Sequence, residues 1–273
     1  MGKVLAVMRA KEYSPGSVEK DEAIMLAVTT RLQTMGYETE VVYDEQTGAV
    51  SGSFDIILSM ARRPETLSWL RLQGSRCINS PDGVARCRRS VLQQVMASTD
   101  VPLPPCEGSD GYWLKRGDTS VGLTKDDVVY AADEAALQQM KKMFRQRGIT
   151  DLVVSAHVAG DEIKFYGVRT TGFFRCYHST VDGVHHPFSV DDLHQTVERL
   201  SAAVGIDVYG GDVIVRQDGT FCIIDFNDWP SFSRCRDEAA EAIVGLVSSV
   251  DTNTSKTDFL PRCALRSAWC FRF

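Results

Sequence analysis

Short apolar runs alternate with longer stretches whose apolar residues recur at helical spacing, and this alternation sets the expected architecture. Lys3–Met8 is the first such run. After a polar loop from Arg9 to Ser17, Ile24, Val28, Leu32 and Met35 mark one helix face, which Gly36 closes. Glu40–Tyr43 and Phe54–Met60 read as strands, with a short helix over Glu65–Leu72. Strands alternating with helices imply parallel βαβ units in an open sheet, whose ligands collect at the carboxyl ends of strands. Arg9 and the pair Arg62-Arg63 stand there, after the first and third strands, either as ligand contacts or as solvated loop charge. Ser80-Pro81 is a helix N-cap followed by proline at the first helical position. Val84, Cys87, Val91, Leu92 and Val95 then predict one face of a single helix, and Val101–Pro105 (VPLPP) a stiff extended link.

Beyond that link, Gly111–Lys115 (GYWLK) is a short strand that delivers Lys115 to a small-residue loop, Gly117–Gly122. A lysine beside such a loop can meet a phosphate by charge and backbone N–H groups together, although an exposed edge-strand lysine reads the same way. Asp133–Arg147 is helical, with Leu137, Met140 and Phe144 inward and Gly148 at its end. Asp151–Val158 and Glu162–Arg169 are strands joined by a turn at Gly160-Asp161, and Phe173–Thr180 is a further strand, turned back at Asp182-Gly183. Ser189-Val-Asp-Asp192 is a capping box opening a helix with Leu193, Val197, Leu200 and Val204 on one stripe before Gly205. A last helix carries Ala239, Ile243, Leu246 and Val250. Residues 251–273 read as a tail without clear periodicity.

The most informative stretch is Tyr209–Ser233 (YGGDVIVRQDGTFCIIDFNDWPSFS). Two apolar runs flank Asp218-Gly219, a strong signal for a tight hairpin turn. A two-residue turn there sets Val215 opposite Cys222 and Asp212 opposite Asp225, with Asn227 on the same side of the sheet as Asp225. Like charges facing each other across a ladder repel, so a half-buried pair of this kind needs a cation. Two carboxylates and an amide oxygen form a hard ligand set suited to Mg²⁺ holding a phosphate. A surface hairpin with solvated acids is the competing reading, and the Ile-Val and Cys-Ile-Ile runs are too apolar for it.

Composition narrows the function classes. The 273 residues are 44% hydrophobic and 24% charged, enough for one large or several small domains with a real core. A net charge of −6 argues against nucleic acid as the main partner. Eight cysteines are scattered without a CxxC pair, several inside apolar runs, which fits a reducing cytoplasm. No membrane span, signal peptide or persuasive myristoylation site is expected. The five histidines show no metal-ligand spacing beside cysteine, and His185-His186 reads as a polar turn, so no zinc site is expected.

The order of these parts resembles the ATP-grasp superfamily, the matching segments being INSPDGVARCRRSVL (78–92), WLKRGD (113–118), VVSAHVAGDEIKF (153–165) and GGDVIVRQDGTFCIIDFNDWPSF (210–232). The resemblance implies a mixed α/β and α+β architecture: an N-terminal parallel βα domain (1–100), a small subdomain (101–165), a C-terminal subdomain with the metal hairpin (166–250), and a tail. ATP would lie between the two α+β subdomains, with Mg²⁺ or Mn²⁺. By position, Lys115 resembles the strand lysine that touches adenine and phosphate. Ser155, Ala156, His157 and Val158 resemble the adenine hinge, Glu162 the ribose-binding acid, and Lys164 a basic residue near the phosphates. Asp212, Asp225 and Asn227 resemble the magnesium triad, whose middle member is more often Glu. The family's earlier phosphate-binding lysine has no counterpart, Arg88 and Arg89 standing in that region, and the phosphate-covering loop has only Gly117 and Gly122.

Most such enzymes phosphorylate a carboxylate, and an amine then displaces the phosphate to give an amide. The implied partners are therefore ATP, a small carboxylate and an amine acceptor, with no nucleic acid or membrane, and a homodimer left open. Arg175, in a Phe-Phe-Arg stretch similar to the basic segment of glutamate-adding ligases, is the candidate for holding the acyl phosphate, against the alternative of an exposed strand arginine. Arg9, Arg62, Ser231 and Ser233 are candidates for the substrate; Trp229 and Phe232 either form a substrate wall or pack in the core. The expected activity is a carboxylate–amine ligase. A small-molecule kinase similar to inositol phosphate kinases, which share Asp-x-Asn in the hairpin, is the alternative, and a non-catalytic nucleotide-binding scaffold the third reading.

Overall fold

The computed structural model describes residues 2–118, 124–180 and 184–257. Gly122, the expected turn at Asp182-Gly183 and the end of the tail lie outside them, as does the side chain of Val250. In chain order the strands and α-helices are β1 (Lys3–Met8), α1 (Val18–Thr34), β2 (Glu38–Tyr43), β3 (Ile56–Ser59), α2 (Pro64–Leu72), β4 (Arg76–Ile78), α3 (Pro81–Arg86), α4 (Arg89–Ser98), β5 (Tyr112–Arg116), β6 (Val128–Ala131), α5 (Glu134–Gln146), β7 (Leu152–Ala156), β8 (Asp161–Val168), β9 (Phe173–His178), α6 (Val190–Val204), β10 (Val208–Val215), β11 (Phe221–Asp228) and α7 (Arg236–Thr257).

The first four strands form a parallel sheet in the order β2-β1-β3-β4. Its central strand is buried on both faces, which is why Val4–Met8 is apolar throughout rather than alternating. Val4, Ala6 and Met8 pack with Ile24, Met25, Val28 and Leu32 of α1. Leu5 and Val7 point the other way, against Leu67 and Leu70 of α2.

The single helix expected after Ser80 is two helices. Ser80 caps α3 as anticipated, its Oγ accepting from the Gly83 N–H at 3.0 Å, but the chain turns extended at Arg88 before α4. The reason is packing. Val84 joins the core beneath the parallel sheet, whereas Leu92 and Met96 join a different core with α6, and one straight helix cannot face both. The joint is tight: a Cβ at Gly83 would stand 2.2 Å from the Gly205 carbonyl oxygen. Beside it, buried Asn79 accepts from the N–H groups of Asp207 and Val208 and donates to the Val208 carbonyl, all at 2.7 Å. This side chain bolts the end of β4 to the start of β10.

The remaining strands form two antiparallel sheets, β6-β5-β7 and β11-β10-β8-β9. One face of the smaller sheet packs Leu114, Val129 and Val154 against Leu137 and Phe144 of α5, which leaves Trp113, Lys115, Val153 and Ser155 on the opposite face by register. The larger sheet packs Ile163, Phe165, Val213, Ile223 and Phe226 against α6. Its other face is half covered by α7, through Tyr166, Phe173 and Val208 with Ile243 and Val247. The boundary expected at 165/166 falls inside β8, which is hydrogen-bonded along its length to β9 and β10, so the small sheet ends at Ala156. The last helix extends beyond residue 250 to Thr257, into the segment read as tail.

Candidate active site

The hairpin places its carboxylates opposite each other by two departures that cancel. Arg216 and Thr220 close the turn, with the Arg216 N–H donating to the Thr220 carbonyl at 2.8 Å and Gly219 in the left-handed region at φ 81°. That is a three-residue loop needing glycine at its last position, and it shifts the pairing so that Val215 faces Phe221 and Ile214 faces Cys222. A bulge at Ile224 then restores the register, and Asp212 faces Asp225 as expected. The Ile224 carbonyl, set aside by the bulge, accepts from Lys115 Nζ at 2.9 Å. The irregularity thus supplies the anchor for the lysine of the facing sheet.

Asp212, Asp225, Asn227 and Lys164 stand together on the open half of the larger sheet. Lys164 lies beside Asp212 in the β8–β10 ladder, and its Nζ donates to Asp212 Oδ1 at 2.6 Å. Asn227 donates from Nδ2 to Asp225 Oδ2 at 3.1 Å, which leaves its Oδ1 as the atom available to a cation. Burial pushes the Asp212 carboxyl above its ordinary range; Lys164 pulls it back in part, and Asp225's charge adds to the rise. The oxygen donors of the pair fit a small hard divalent ion. Burial also lowers the Lys115 ammonium, an effect Asp225 opposes and Arg89 reinforces. Lys164 ends above its ordinary value, because Asp212 outweighs the cost of its burial. Glu162, opposite Ile214 in β10, is exposed and accepts from Ser179 Oγ at 3.0 Å.

Between the two antiparallel sheets runs a narrow cleft of about 60 Å³, lined by Lys115, Val153, Ser155, Ile224, Asp225 and Arg89. Ser155 faces it, but the other hinge residues are partly committed elsewhere. The Ala156 N–H donates to the Pro105 carbonyl and the His157 N–H to the Gly111 carbonyl, both at 2.8 Å. His157 Nδ1 accepts from Trp113 Nε1 at 3.1 Å beside the Tyr130 ring. The Val158 N–H has no acceptor among the described residues. Any ligand as large as a triphosphate would need more room than this, and its entry would require the smaller sheet to move away. Polar bonds that would have to break include Lys115 to Ile224, Arg89 to the Arg116 carbonyl at 3.3 Å, the Ser90 N–H to the Gly117 carbonyl at 3.3 Å and Ser90 Oγ to Asp151 at 2.8 Å.

A larger cavity of about 590 Å³ adjoins the site from the N-terminal side, lined by Arg62, Arg63, Arg88, Glu12, Asp118 and Asp228 among others. Arg62 donates to Asp228 Oδ1 at 2.5 Å. Burial alone would raise the Asp228 carboxyl, but Arg62 and Arg9 more than reverse this and hold it below its ordinary value. Arg9 is not in this lining. Its guanidinium is buried, donating to Asp21 at 3.0 Å and to the carbonyls of Asp228 and Trp229 at 3.2 and 2.9 Å, so it braces β1 against the end of β11 rather than facing a ligand. Trp229 and Phe232 are fully buried, which resolves their role in favour of packing. Ser231 is half-buried and Ser233 exposed. Arg175 shares the site's face of the sheet but is exposed and paired with Glu238 of α7. One grouping departs from expectation. His178, His185 and Asp161, far apart in sequence, have ligand atoms within 4.8 Å of one another.

No protein-family model matches the chain, and no curated protein matches it. Solved structures do. D-alanyl-alanine synthetase A from Vibrio cholerae aligns with a TM-score of 0.66 and 11% identity over 92% of this chain and 98% of that one. D-alanine–D-alanine ligase from Bacillus anthracis, complexed with ATP, gives 0.66 and 11% over 94% and 98%. A RimK domain ATP-grasp protein from Sphaerobacter thermophilus gives 0.62 and 17% over 92% and 99%. The chain has the ATP-grasp fold. No helix among the described residues is long and apolar enough to cross a membrane.

Proposed function

We propose that the chain is an ATP-dependent carboxylate–amine ligase working in the cytoplasm with Mg²⁺. The observation that carries this is the flanking of the Asp212/Asp225 pair by two ammonium groups, Lys115 on the Ile224 carbonyl and Lys164 on Asp212, with a substrate-sized cavity adjoining. Asp212, Asp225 and Asn227 would hold Mg²⁺, which when bound supplies charge neutralisation on the phosphates. Ser155, the Val158 N–H and the Ala156 carbonyl suit the adenine edge, and Glu162 suits the ribose hydroxyls. Lys115 and Lys164 would hold the phosphates, taking up contacts now made to Ile224 and Asp212.

Arg62, Arg63 and Arg88 would orient the acid's carboxylate toward the γ-phosphorus. The carboxylate oxygen attacks, ADP leaves, and an acyl phosphate forms. The amine nitrogen then attacks the acyl carbon, phosphate leaves, and the amine's proton passes to solvent. Positioning and fixed charge do this work without a protein nucleophile. Arg175, tied to Glu238, has no part in this reading.

The short Asp225, where a glutamate is more usual, supports a second reading in which the acceptor is an alcohol. Incubation with Mg·ATP, pooled amino acids and hydroxylamine distinguishes the two. A hydroxamate, formed with release of one ADP, is expected. A phosphorylated alcohol from pooled inositol phosphates, with no hydroxamate, would overturn the ligase reading.

A further inference from the structure

We infer that Asp161, His178 and His185 form a binding site for a borderline divalent transition metal of the Zn²⁺ type, separate from the Mg²⁺ position. Asp161 opens β8 and His178 closes its partner β9. Ile163 pairs with His178, so Asp161 and His178 share the face of the sheet that packs on α6, the reverse of the face bearing Lys164 and Asp212. His185 arrives from the segment leading into α6, and its ring lies 3.7 Å from that of His178, centroid to centroid.

Four features point to a cation rather than to an ordinary polar cluster. The ligand atoms of all three residues lie within 4.8 Å of one another, and ligands of a tetrahedral Zn²⁺ are about 3.4 Å apart at usual bond lengths; closure on an ion requires the His178 and His185 rings to rotate out of their present stack, in which the planes stand 23° apart. His185 Nδ1 stands 3.8 Å from Asp161 Oδ2, too far for a hydrogen bond and close to the spacing of two ligands on one ion. His178 Nδ1 is sealed from solvent and has no hydrogen-bond partner among the described residues, an expense that metal ligation removes. Asp161 is already oriented, its Oδ2 accepting from the His186 N–H at 2.5 Å, the kind of support that ligating carboxylates receive.

Two imidazoles and one carboxylate leave a coordination position for water, and the nitrogen donors select Zn²⁺, Co²⁺ or Ni²⁺ over Mg²⁺. The bound ion would fasten the segment before α6 to the open ends of β8 and β9. Glu162 and Ser179, joined to each other, are the sequence neighbours of two of the ligand positions. Metal occupancy would therefore steady the edge at which we place the ribose.

The test uses the full chain stripped with chelator and titrated with Co²⁺ and Zn²⁺ alone, without nucleotide. One equivalent of Co²⁺ is expected to give the visible absorption of a low-coordinate nitrogen-ligated ion, to be displaced by Zn²⁺, and to persist in Asp225→Ala. His178→Gln and His185→Gln are each expected to lose at least tenfold in Zn²⁺ affinity and the Zn²⁺-dependent rise in melting temperature, with circular dichroism unchanged without metal. Absence of the visible band in the unmodified chain, or its loss in Asp225→Ala with retention in both histidine variants, would overturn the assignment.

Discussion

Replacing Arg9 with methionine separates the structural account of this residue from its reading as a substrate contact. Methionine keeps much of the aliphatic stem and removes the guanidinium. In its place Asp21, the Asp228 and Trp229 carbonyls and the Asp228 carboxylate lose a partner, the last at 3.7 Å. Among the described residues Asp21 keeps only Ser14 Oγ at 2.6 Å, and Asp228 keeps Arg62. Breaking a buried ion pair from one side costs about 3–5 kcal/mol, because a charge is left without compensation. For a chain of this size each kcal/mol lowers the melting temperature by roughly 2–4 °C, so Arg9→Met should melt roughly 6–20 °C below the parent. Urea unfolding followed by circular dichroism measures the loss directly, and Asp21→Asn in the same background should cost less than it does alone, because the two share one interaction. A loss below about 1 kcal/mol, together with a raised KM for the acid, would refute the reasoning and return Arg9 to the substrate.

Two further outcomes follow from the same geometry. Activity should fall at acid pH as Asp212 protonates, at a pH above that of an ordinary aspartate because its carboxyl is raised. It should fall at alkaline pH as Lys115 loses its proton, below the ordinary lysine value because its ammonium is lowered; Lys115→Arg should move that alkaline limb upward and leave the acid limb in place, as read from a kcat/KM profile. Gly211→Ala should disrupt the hairpin at the Asp212/Asp225 carboxylate pair, since its Cβ would lie 2.2 Å from the Asp225 carbonyl oxygen and 2.5 Å from Phe165 Cζ. Overpacking of this kind costs about 1–3 kcal/mol or more, measured by denaturation alongside the loss of turnover.

Elements with a strong local signal were legible in the chain. The Ser189 N-cap and the stripe Leu193, Val197, Leu200 and Val204 stand as read, all four stripe residues fully buried, because a cap and an apolar face are decided within one helix; of the expected capping box only the Ser189 half forms, its Oγ accepting from the Asp192 N–H. The facing of Asp212 and Asp225 was also legible, though through a two-residue turn when the chain uses three residues and a bulge at Ile224; a bulge leaves no mark in composition. What escaped depended on distant partners. Strand β6 was passed over between a small-residue loop and a helix, although its Val-Val-Tyr core is β-prone. Asn79 gave no sign of its bonds to residues 207 and 208, more than a hundred positions away. Arg9 is charged and follows a strand, as a ligand contact would be, and only the fold reveals Asp21 and Asp228 around it. His178 and His185 lack metal-ligand spacing beside a cysteine, yet the β8–β9 pairing carries Asp161 to them.

The account rests on nucleotide entering between the two antiparallel sheets and being held there through the carboxylate pair. The most direct measurement is calorimetric titration of the full chain with a non-hydrolysable ATP analogue, with and without Mg²⁺, beside Asp212→Asn and Asp225→Asn. One site per chain is predicted, weakened at least tenfold by omitting Mg²⁺ or by either substitution, with melting temperatures unchanged. Equal affinity in all four titrations, or no binding to the unmodified chain, would contradict it.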